Sequence, residues 1–240
     1  MSGERSAWYA FILRLVRNGF FRLITGGIRS YGEENIPKTG GVIFAPNHVS
    51  NLDPPAVACG TNKRQLAFMA KEELFKGLFG KIIASLGAFP VRRGDSDTEA
   101  IRKALALLEQ GRAVLVFPEG TRGDGRTMGP INRGVAMLAK RSGAQVLPVG
   151  VIGTHVIAPK GGKGLKRRRV VLAYGKPFTY EQTSTGQSEK ENRELFAKEL
   201  EKRIIALCAE HGLALKTAES DSPPASHPGP EPAAAPRTSS

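Results

Sequence analysis

A histidine and an aspartate stand five residues apart in the segment 47–53, directly after a short apolar run that begins at Val42. An aspartate at this spacing can reach across a turn, accept from one imidazole nitrogen of His48 and fix the tautomer, which leaves the other nitrogen to take a proton. We interpret His48 and Asp53 as a base and its orienting partner that act on a substrate hydroxyl. A structural histidine, with Asp53 as the N-cap of a helix starting at Pro54, is the alternative.

Arginines occur in two further segments that follow apolar runs. Residues 117–122 read FPEGTR and combine a flexible glycine, a hydroxyl and a guanidinium, and residues 87–94 contain Arg92 and Arg93. Arginine is suited to forked recognition of phosphate, and ligands of α/β sheets bind where strands end. We therefore expect an anionic ligand near these segments, the alternative for each arginine being a solvated surface charge.

Short β-favouring runs alternate with helical patterns between Gly40 and Gly175. The predicted strands cover residues 42–44, 66–69, 113–117, 146–149 and 170–172. The predicted helices cover residues 97–110, 132–141 and 189–210. This alternation predicts an α/β fold with a mixed central sheet flanked by helices.

Residues 6–24 predict an amphipathic helix. Its apolar face would carry Trp8, Phe11, Ile12, Leu15, Val16 and Leu23. Arg14 and Arg17 fall on the opposite face, and with Arg22 they interrupt the apolar run, so no membrane-spanning helix is expected here. The helix either packs on the core or lies in a bilayer interface with its arginines reaching phosphates. We favour the membrane-surface helix because the chain is strongly basic.

The composition favours anionic partners, since 35 Lys and Arg against 22 Asp and Glu give a formal net charge of +13. No RNP-type aromatic cluster, zinc-finger spacing or basic heptad accompanies the charge, so no nucleic acid partner is expected. With only Cys59 and Cys208, and with histidines that lack ligand spacing, neither a disulfide framework nor a metal site is expected.

Residues 160–169 (KGGKGLKRRR) form a second basic feature, with six basic residues among ten. The glycines predict a loop, and most such loops are simply solvated. If the N-terminal helix lies on anionic lipid, this loop would add about 1 kcal/mol of attraction per basic residue near the surface.

Taken together, the three segments resemble the motifs of the glycerolipid acyltransferases, specifically the 1-acyl-glycerol-3-phosphate acyltransferase family. The resemblance runs from about Tyr31 to Lys176. The family's NHxxxxD motif matches residues 47–53, its glycine-to-arginine segment residues 87–93, its FPEGTR residues 117–122, and its apolar-proline segment residues 146–149. FPEGTR is matched without a substitution.

This resemblance implies a role for each motif residue, with His48 as general base and Asp53 as its orienting partner. It implies an acceptor site that holds the substrate phosphate, formed by Arg93, Glu119, Gly120, Thr121 and Arg122. The implied reaction transfers a fatty acyl group from acyl-CoA or acyl carrier protein, as co-substrate, to the free hydroxyl of lysophosphatidic acid. Phosphatidic acid is the product, and no permanently bound cofactor is expected.

Three regions are expected on this basis. Residues 1–30 form a membrane-associating segment, residues 31–216 the acyltransferase domain, and residues 217–240 a disordered tail rich in Pro, Ala and Ser. The expected location is the cytoplasmic face of a membrane, peripheral or monotopic, with the phospholipid surface as a partner. Two rival functions remain: the same chemistry on glycerol-3-phosphate or another lysophospholipid, and a non-catalytic basic module that binds lipid or nucleic acid.

Overall fold

A seven-stranded sheet forms the centre of the computed structural model, which describes residues 6–91, 98–162 and 166–217. The strands are β1 Ile28–Tyr31, β2 Val42–Pro46, β3 Leu66–Lys71, β4 Ala88–Val91, β5 Ala113–Leu115, β6 Gln145–Ile152 and β7 Val170–Tyr174. Their order across the sheet is β1-β7-β6-β2-β5-β3-β4. All neighbouring pairs are parallel except β6 and β7, so the predicted mixed sheet is confirmed.

The helices cover both faces of this sheet. They are α1 Ala7–Val16, α2 Asp53–Gly60, α3 Gly77–Ser85, α4 Thr98–Glu109, α5 Arg133–Ser142, α6 Thr154–Ile157 and α7 Glu189–Glu210. A π-helix, Arg17–Thr25, continues α1, and 3-10 turns occupy Glu33–Asn35, Glu72–Phe75 and Glu181–Thr183. One buried cluster joins the sheet to α4, α5 and α7, and the other joins it to α1, the π-helix and α2.

The register of the central strands decides where the functional segments lie. β2 is parallel to both β5 and β6, with Phe44 opposite Leu115 and Pro46 opposite Val149. The loops that leave β2 and β5 therefore start side by side at the carboxyl ends of adjacent strands, which is where ligands bind in such folds.

Local signals in the sequence account for the ends of the best predicted helix. At the start of α7, the Ser188 side chain accepts from the backbone of Glu191, and the Glu191 carboxylate accepts from the backbone of Ser188. This capping box satisfies N–H groups that the first turn of a helix leaves unpaired. Beyond the last turn, Gly212 has φ +86°, a backbone conformation that favours glycine.

The N-terminal segment packs on the core, and its lying on a membrane surface stays a prediction. Tyr9, Leu13 and Phe21 are buried against the sheet and α2, so the segment packs on the core. The predicted apolar face nevertheless stays largely outside: Phe11 is 59% and Leu23 71% exposed. The helix therefore packs on the core with one side and presents a wide apolar surface on the other.

The structure bears on two of the predicted region boundaries, the end of the N-terminal segment and the start of the tail. β1 begins at Ile28 and pairs with β7, so residues assigned to the N-terminal segment belong to the central sheet. Of the predicted tail, only Thr217 lies within the described residues. None of the helices in the described ranges is long and apolar enough to cross a membrane.

Candidate active site

The contact predicted between His48 and Asp53 is confirmed. His48 Nδ1 lies 2.9 Å from Asp53 Oδ2, and the Asp53 side chain is fully buried whereas that of His48 is 16% exposed. A carboxylate can only accept, so His48 Nδ1 carries the proton and Nε2 carries the lone pair. Nε2 makes no hydrogen bond to any residue that the structure describes. The ring is thus arranged as a base that faces outward.

Asp53 is held in place by the loop that precedes it. Its Oδ2 also accepts from the backbone N–H of Val49 at 2.7 Å and of Ser50 at 2.8 Å. Asp53 is the first residue of α2, where a negative charge is favourable, but its side chain makes no capping bond to the helix. The N-cap alternative is therefore wrong, because the N-cap of α2 is Leu52 and the Asp53 carboxylate points back to residues 47–52, which we call the histidine loop.

Glu119 links the histidine loop to the loop after β5. Its Oε1 accepts from the backbone N–H of His48 at 2.7 Å, and its Oε2 accepts from the backbone N–H of Gly129 at 2.9 Å. The carbonyl of His48 in turn accepts from Gly123 N–H at 2.7 Å. One carboxylate oxygen thus holds the backbone of the loop after β2, and the other holds the backbone of its own loop. A negative charge here would also repel a phosphate. The structure supports a positioning role for Glu119 rather than contact with the substrate.

The Glu119 carboxylate is closely packed and partly buried. Burial raises the pKa of Glu119, and the two backbone N–H groups act in the opposite direction. A Cβ at Gly129 would lie 3.2 Å from Glu119 Oε2, and one at Gly123 would lie 3.3 Å from it. Glycine at both positions allows the backbone to approach the carboxylate closely.

Phe117 orients the His48 ring by stacking on one of its faces. Its ring stacks on that of His48 with a centroid separation of 3.9 Å and an interplanar angle of 25°. A ring stacked this closely limits rotation of the imidazole and covers one of its faces. The FPEGTR motif therefore contributes an orienting ring as well as Glu119.

The other predicted acceptor-site residues lie on the same loop, beyond Glu119. Gly120 and Thr121 are exposed and Arg122 is half-buried. Gly120 has φ +68°, which a non-glycine residue rarely adopts, and Lys160 Nζ donates to the carbonyl of Arg122 at 2.8 Å. This contact brings the basic loop to the motif.

Arg93 lies outside the described residues, so its position relative to Arg122 stays a prediction. The preceding strand, β4, ends at Val91 and runs parallel to β3, which itself pairs with β5. β4 therefore ends on the same side of the sheet as the carboxyl ends of β2 and β5, from which the other two motif loops leave.

Asn47 has a structural function that the sequence did not reveal. Its side chain donates to the carbonyl of Val151 at 3.0 Å and accepts from the N–H of Val151 at 2.7 Å, fully buried. It thus ties the end of β2 to β6 just before His48. An asparagine directly after a strand is the only signal in the sequence, and it does not identify the partner.

His155, just beyond the end of β6, is close enough to Asp53 to sense its charge, and the neighbouring Thr154 is fully buried. Burial lowers the pKa of His155, whereas the charge of Asp53 raises it. The Nδ1 of His155 and the hydroxyl of Thr154 are buried and have no hydrogen-bond partner among the described residues. A Cβ at Gly125 would lie 3.1 Å from the Cβ of His155. Both residues were missed because the sequence gives no link between β6 and the histidine loop.

The assembled groups suit acyl transfer to a hydroxyl. An oriented imidazole can remove the proton of the attacking hydroxyl, and a nearby arginine can hold an anionic part of the acceptor.

Comparison with known proteins supports the same chemistry. The acyltransferase family profile matches residues 27–152. The chain is 31% identical over 157 residues to the 1-acyl-sn-glycerol-3-phosphate acyltransferase of Bacillus subtilis, covering 65% of this chain and 75% of that protein. It is 33% identical over 160 residues to the enzyme of the same name from Streptococcus pneumoniae, covering 65% of this chain but 57% of that protein.

A solved structure agrees with the sequence relatives. The crystal structure of the 1-acyl-sn-glycerophosphate (LPA) acyltransferase from Thermotoga maritima superposes with a TM-score of 0.71 at 30% identity, covering 85% of this chain and 79% of that one. Fold, motifs and relatives agree. The chain therefore belongs to the acyltransferase family and is an O-acyltransferase.

Proposed function

We propose that this enzyme transfers a fatty acyl group from an acyl thioester to the free hydroxyl of 1-acyl-glycerol-3-phosphate and forms phosphatidic acid for phospholipid biosynthesis. The observation that carries the proposal is the buried Asp53 carboxylate, 2.9 Å from His48 Nδ1, which leaves Nε2 as the base. The names of the relatives from Bacillus subtilis and Thermotoga maritima support lysophosphatidic acid as the acceptor.

The reaction needs one proton to move twice. The acceptor hydroxyl oxygen attacks the thioester carbonyl carbon while His48 Nε2 takes its proton, and a tetrahedral intermediate forms. The C–S bond then breaks, the ester carbonyl re-forms, and the leaving thiolate takes the proton from the imidazolium. Asp53 stabilises that imidazolium and keeps its orientation. Direct transfer needs no acyl-enzyme.

Positioning should contribute more than proton transfer. A positioned base is worth about 10²- to 10⁴-fold in rate, whereas holding two reactants in attack geometry supplies about 7 to 11 kcal/mol. We propose that Arg122, with Arg93, holds the acceptor phosphate, and that Gly120 and Thr121 shape the same site. Glu119 acts through the backbone of His48.

Membrane association is part of the proposal because a lysophospholipid is presented by a bilayer. The exposed Phe11 and Leu23 give the N-terminal segment an apolar surface, and Arg169 Nε donates to the carbonyl of Gly26 at 3.2 Å, which joins the basic loop to that segment. We propose peripheral attachment at the cytoplasmic face, where the free thiols of Cys59 and Cys208 would stay reduced.

The direct test is thiol release from acyl-CoA, and from acyl carrier protein as alternative donor, with and without lysophosphatidic acid. Product identification on glycerol-3-phosphate and other lysophospholipids tests the acceptor. We expect His48→Ala to lose at least 10²-fold in kcat with an unchanged Tm. His211→Ala is the matched control, since His211 stacks on Tyr31 away from the motif loops. Acceptor-dependent turnover by the His48 variant near the wild-type rate would refute the mechanism.

A further inference from the structure

A cavity of about 490 Å³ lies between the N-terminal helical segment and the α2–β1 side of the sheet. Ligand sites for small molecules typically measure about 300 to 1,000 Å³. Five polar side chains line it: Arg14, Arg17, Asn18, Arg22 and Asn62. None of its lining residues belongs to the constellation around His48, so it is a separate site.

Three positive charges gather at this cavity, and the lining residues that the structure describes include no carboxylate. Arg17 Nη1 donates to Asn62 Oδ1, a neutral acceptor, at 3.3 Å. Within the described parts of the chain, neither Arg14 nor Arg22 has an ion-pair partner. Like charges around one space repel each other, and an anion placed among them would relieve that repulsion.

The chemistry of the lining favours a phosphate group. Each guanidinium presents a planar fork of donors that matches two phosphate oxygens, and the amide of Asn18 can donate a further hydrogen bond. Arg14 lies in the last turn of α1, and Arg17, three residues further on, begins the π-helix that continues it, so the two are neighbours on the surface of the helical segment. Arg22 reaches the cavity from the same π-helix.

The apolar surface next to the cavity indicates where such a phosphate comes from. Phe11 is 59% exposed and stands three residues before Arg14, so the two are neighbours where the apolar and basic faces of the helix meet. Leu15, 61% exposed, stands three residues before Asn18 of the lining, and Leu23 follows Arg22 directly. A ligand with its phosphate in the cavity would have this surface beside it, which is suited to acyl chains. A soluble phosphate ester would leave the apolar residues in water.

We propose that this cavity binds the phosphate group of an anionic phospholipid, held by Arg14, Arg17 and Arg22, with the acyl chains along the exposed apolar residues. The bound lipid is neither acceptor nor product of the reaction at His48. It fixes the enzyme on the membrane in one orientation.

The test measures binding of monomeric dihexanoyl-phosphatidylglycerol to the full chain, because a dispersed lipid presents no membrane surface potential. Calorimetry and the fluorescence of Trp8, the one tryptophan of the sequence, report binding. We expect saturable binding that weakens about fivefold with each Arg→Gln change, because each change removes one solvent-accessible ion pair with the phosphate. Changing Arg14, Arg17 and Arg22 together, referred to below as the cavity variant, should weaken binding at least fiftyfold. Changing the same three residues to lysine should restore part of the affinity, since charge returns without the fork.

The matched control removes three basic residues from the exposed loop: Lys166→Gln, Arg167→Gln and Arg168→Gln. Its affinity should stay within twofold of the wild type. A parallel titration with sn-glycerol 3-phosphate distinguishes the source of the phosphate, and lipid binding at least tenfold tighter supports the phospholipid. Equal affinities for the two compounds would overturn the lipid assignment.

Two other results would overturn the site itself. One is equal weakening of lipid binding in the cavity variant and the loop control, which would indicate general charge attraction. The other is a KM for lysophosphatidic acid in neutral detergent that rises in the cavity variant as much as the lipid affinity falls, which would place the arginines in the acceptor site. We expect that KM, and kcat, to stay within twofold.

Discussion

Replacing Glu119 with glutamine keeps the shape of the side chain and changes one of its two acceptor oxygens into a donor. The wild-type carboxylate accepts from His48 N–H at 2.7 Å and from Gly129 N–H at 2.9 Å. A glutamine can accept only one of these, so the other N–H faces an NH₂ group. The predicted consequence is a shift of the histidine loop.

Stability and activity should respond differently to this change. A hydrogen bond to a charged group is worth about 1.5 to 3 kcal/mol, but burial raises the pKa of Glu119, which means that desolvation of the charge outweighs those bonds. Glutamine avoids the desolvation cost, so Tm should fall by less than about 4 °C or rise. A displacement of about 1 Å at the base costs about 10²-fold, and we expect kcat to fall at least tenfold.

The dependence on pH follows from the sign of the shift. Because the pKa of folded Glu119 lies above its unfolded value, its contribution to stability is fully present below about pH 4.3 and is lost as pH rises through the folded pKa. Glutamine does not titrate. The Tm of the variant relative to the wild type should therefore increase as pH rises above this point.

Asp124→Asn is the matched control on the same loop. Its Oδ1 also accepts two backbone N–H groups, from Arg126 at 2.8 Å and Thr127 at 2.9 Å, and these bonds lower the pKa of Asp124. This variant should lower Tm at neutral pH, lose that difference as pH falls through the folded pKa, and keep its kcat. Stopped assays at a temperature where both variants are folded, with thermal melts, decide the matter. A Glu119→Gln enzyme with a much lower Tm and wild-type kcat would refute the positioning role.

The remaining predictions concern the acceptor, the core and the membrane. Arg122→Ala should lose about 10- to 150-fold in kcat/KM with lysophosphatidic acid and much less with monoacylglycerol; equal losses would show that this arginine does not contact the phosphate. Arg64→Met should lower the free energy of unfolding by about 3 kcal/mol in denaturant titrations, because Arg64 is 1% exposed and its guanidinium donates to three backbone carbonyls; an unchanged midpoint would contradict this. Phe11→Ser should weaken flotation with anionic vesicles about tenfold at constant Tm, whereas Leu195→Ser on α7 should not; equal flotation of the two variants would exclude the apolar surface as an anchor.

Sequence patterns predicted those elements whose local signals agree with their packing. The bounds of α7 match the prediction because Ser188 and Glu191 form a capping box and the core residues keep helical spacing. β1 and β4 were missed. β1 reads IRSY and alternates half-buried with exposed positions at the sheet edge, and β4 contains Pro90, which argues against a strand.

The site was predictable only as far as neighbouring residues define it. The pair His48 and Asp53 lies within one turn of chain, so its spacing sufficed. The contact of Glu119 with the His48 backbone joins residues 71 positions apart and depends on β2 and β5 being neighbours, which no local pattern specifies. On the N-terminal segment, Tyr9 and Leu13 were missed because nearly every position there is apolar, so periodicity could not select the buried side.

The central position of β2 has a consequence for how the chain folds during synthesis. β2 is complete at Pro46, but its partners β5 and β6 end only at Leu115 and Ile152. At about 5 to 20 residues per second, a ribosome needs roughly 3 to 14 seconds to reach Leu115 and roughly 5 to 20 seconds to reach Ile152. Both edges of this entirely apolar strand therefore stay unpaired for the first interval, and the β6 edge stays unpaired for the second. Such an edge is a template for aggregation, so a nascent chain arrested before Ile152 should depend on chaperones, and His48 acquires its surroundings only when folding is nearly finished.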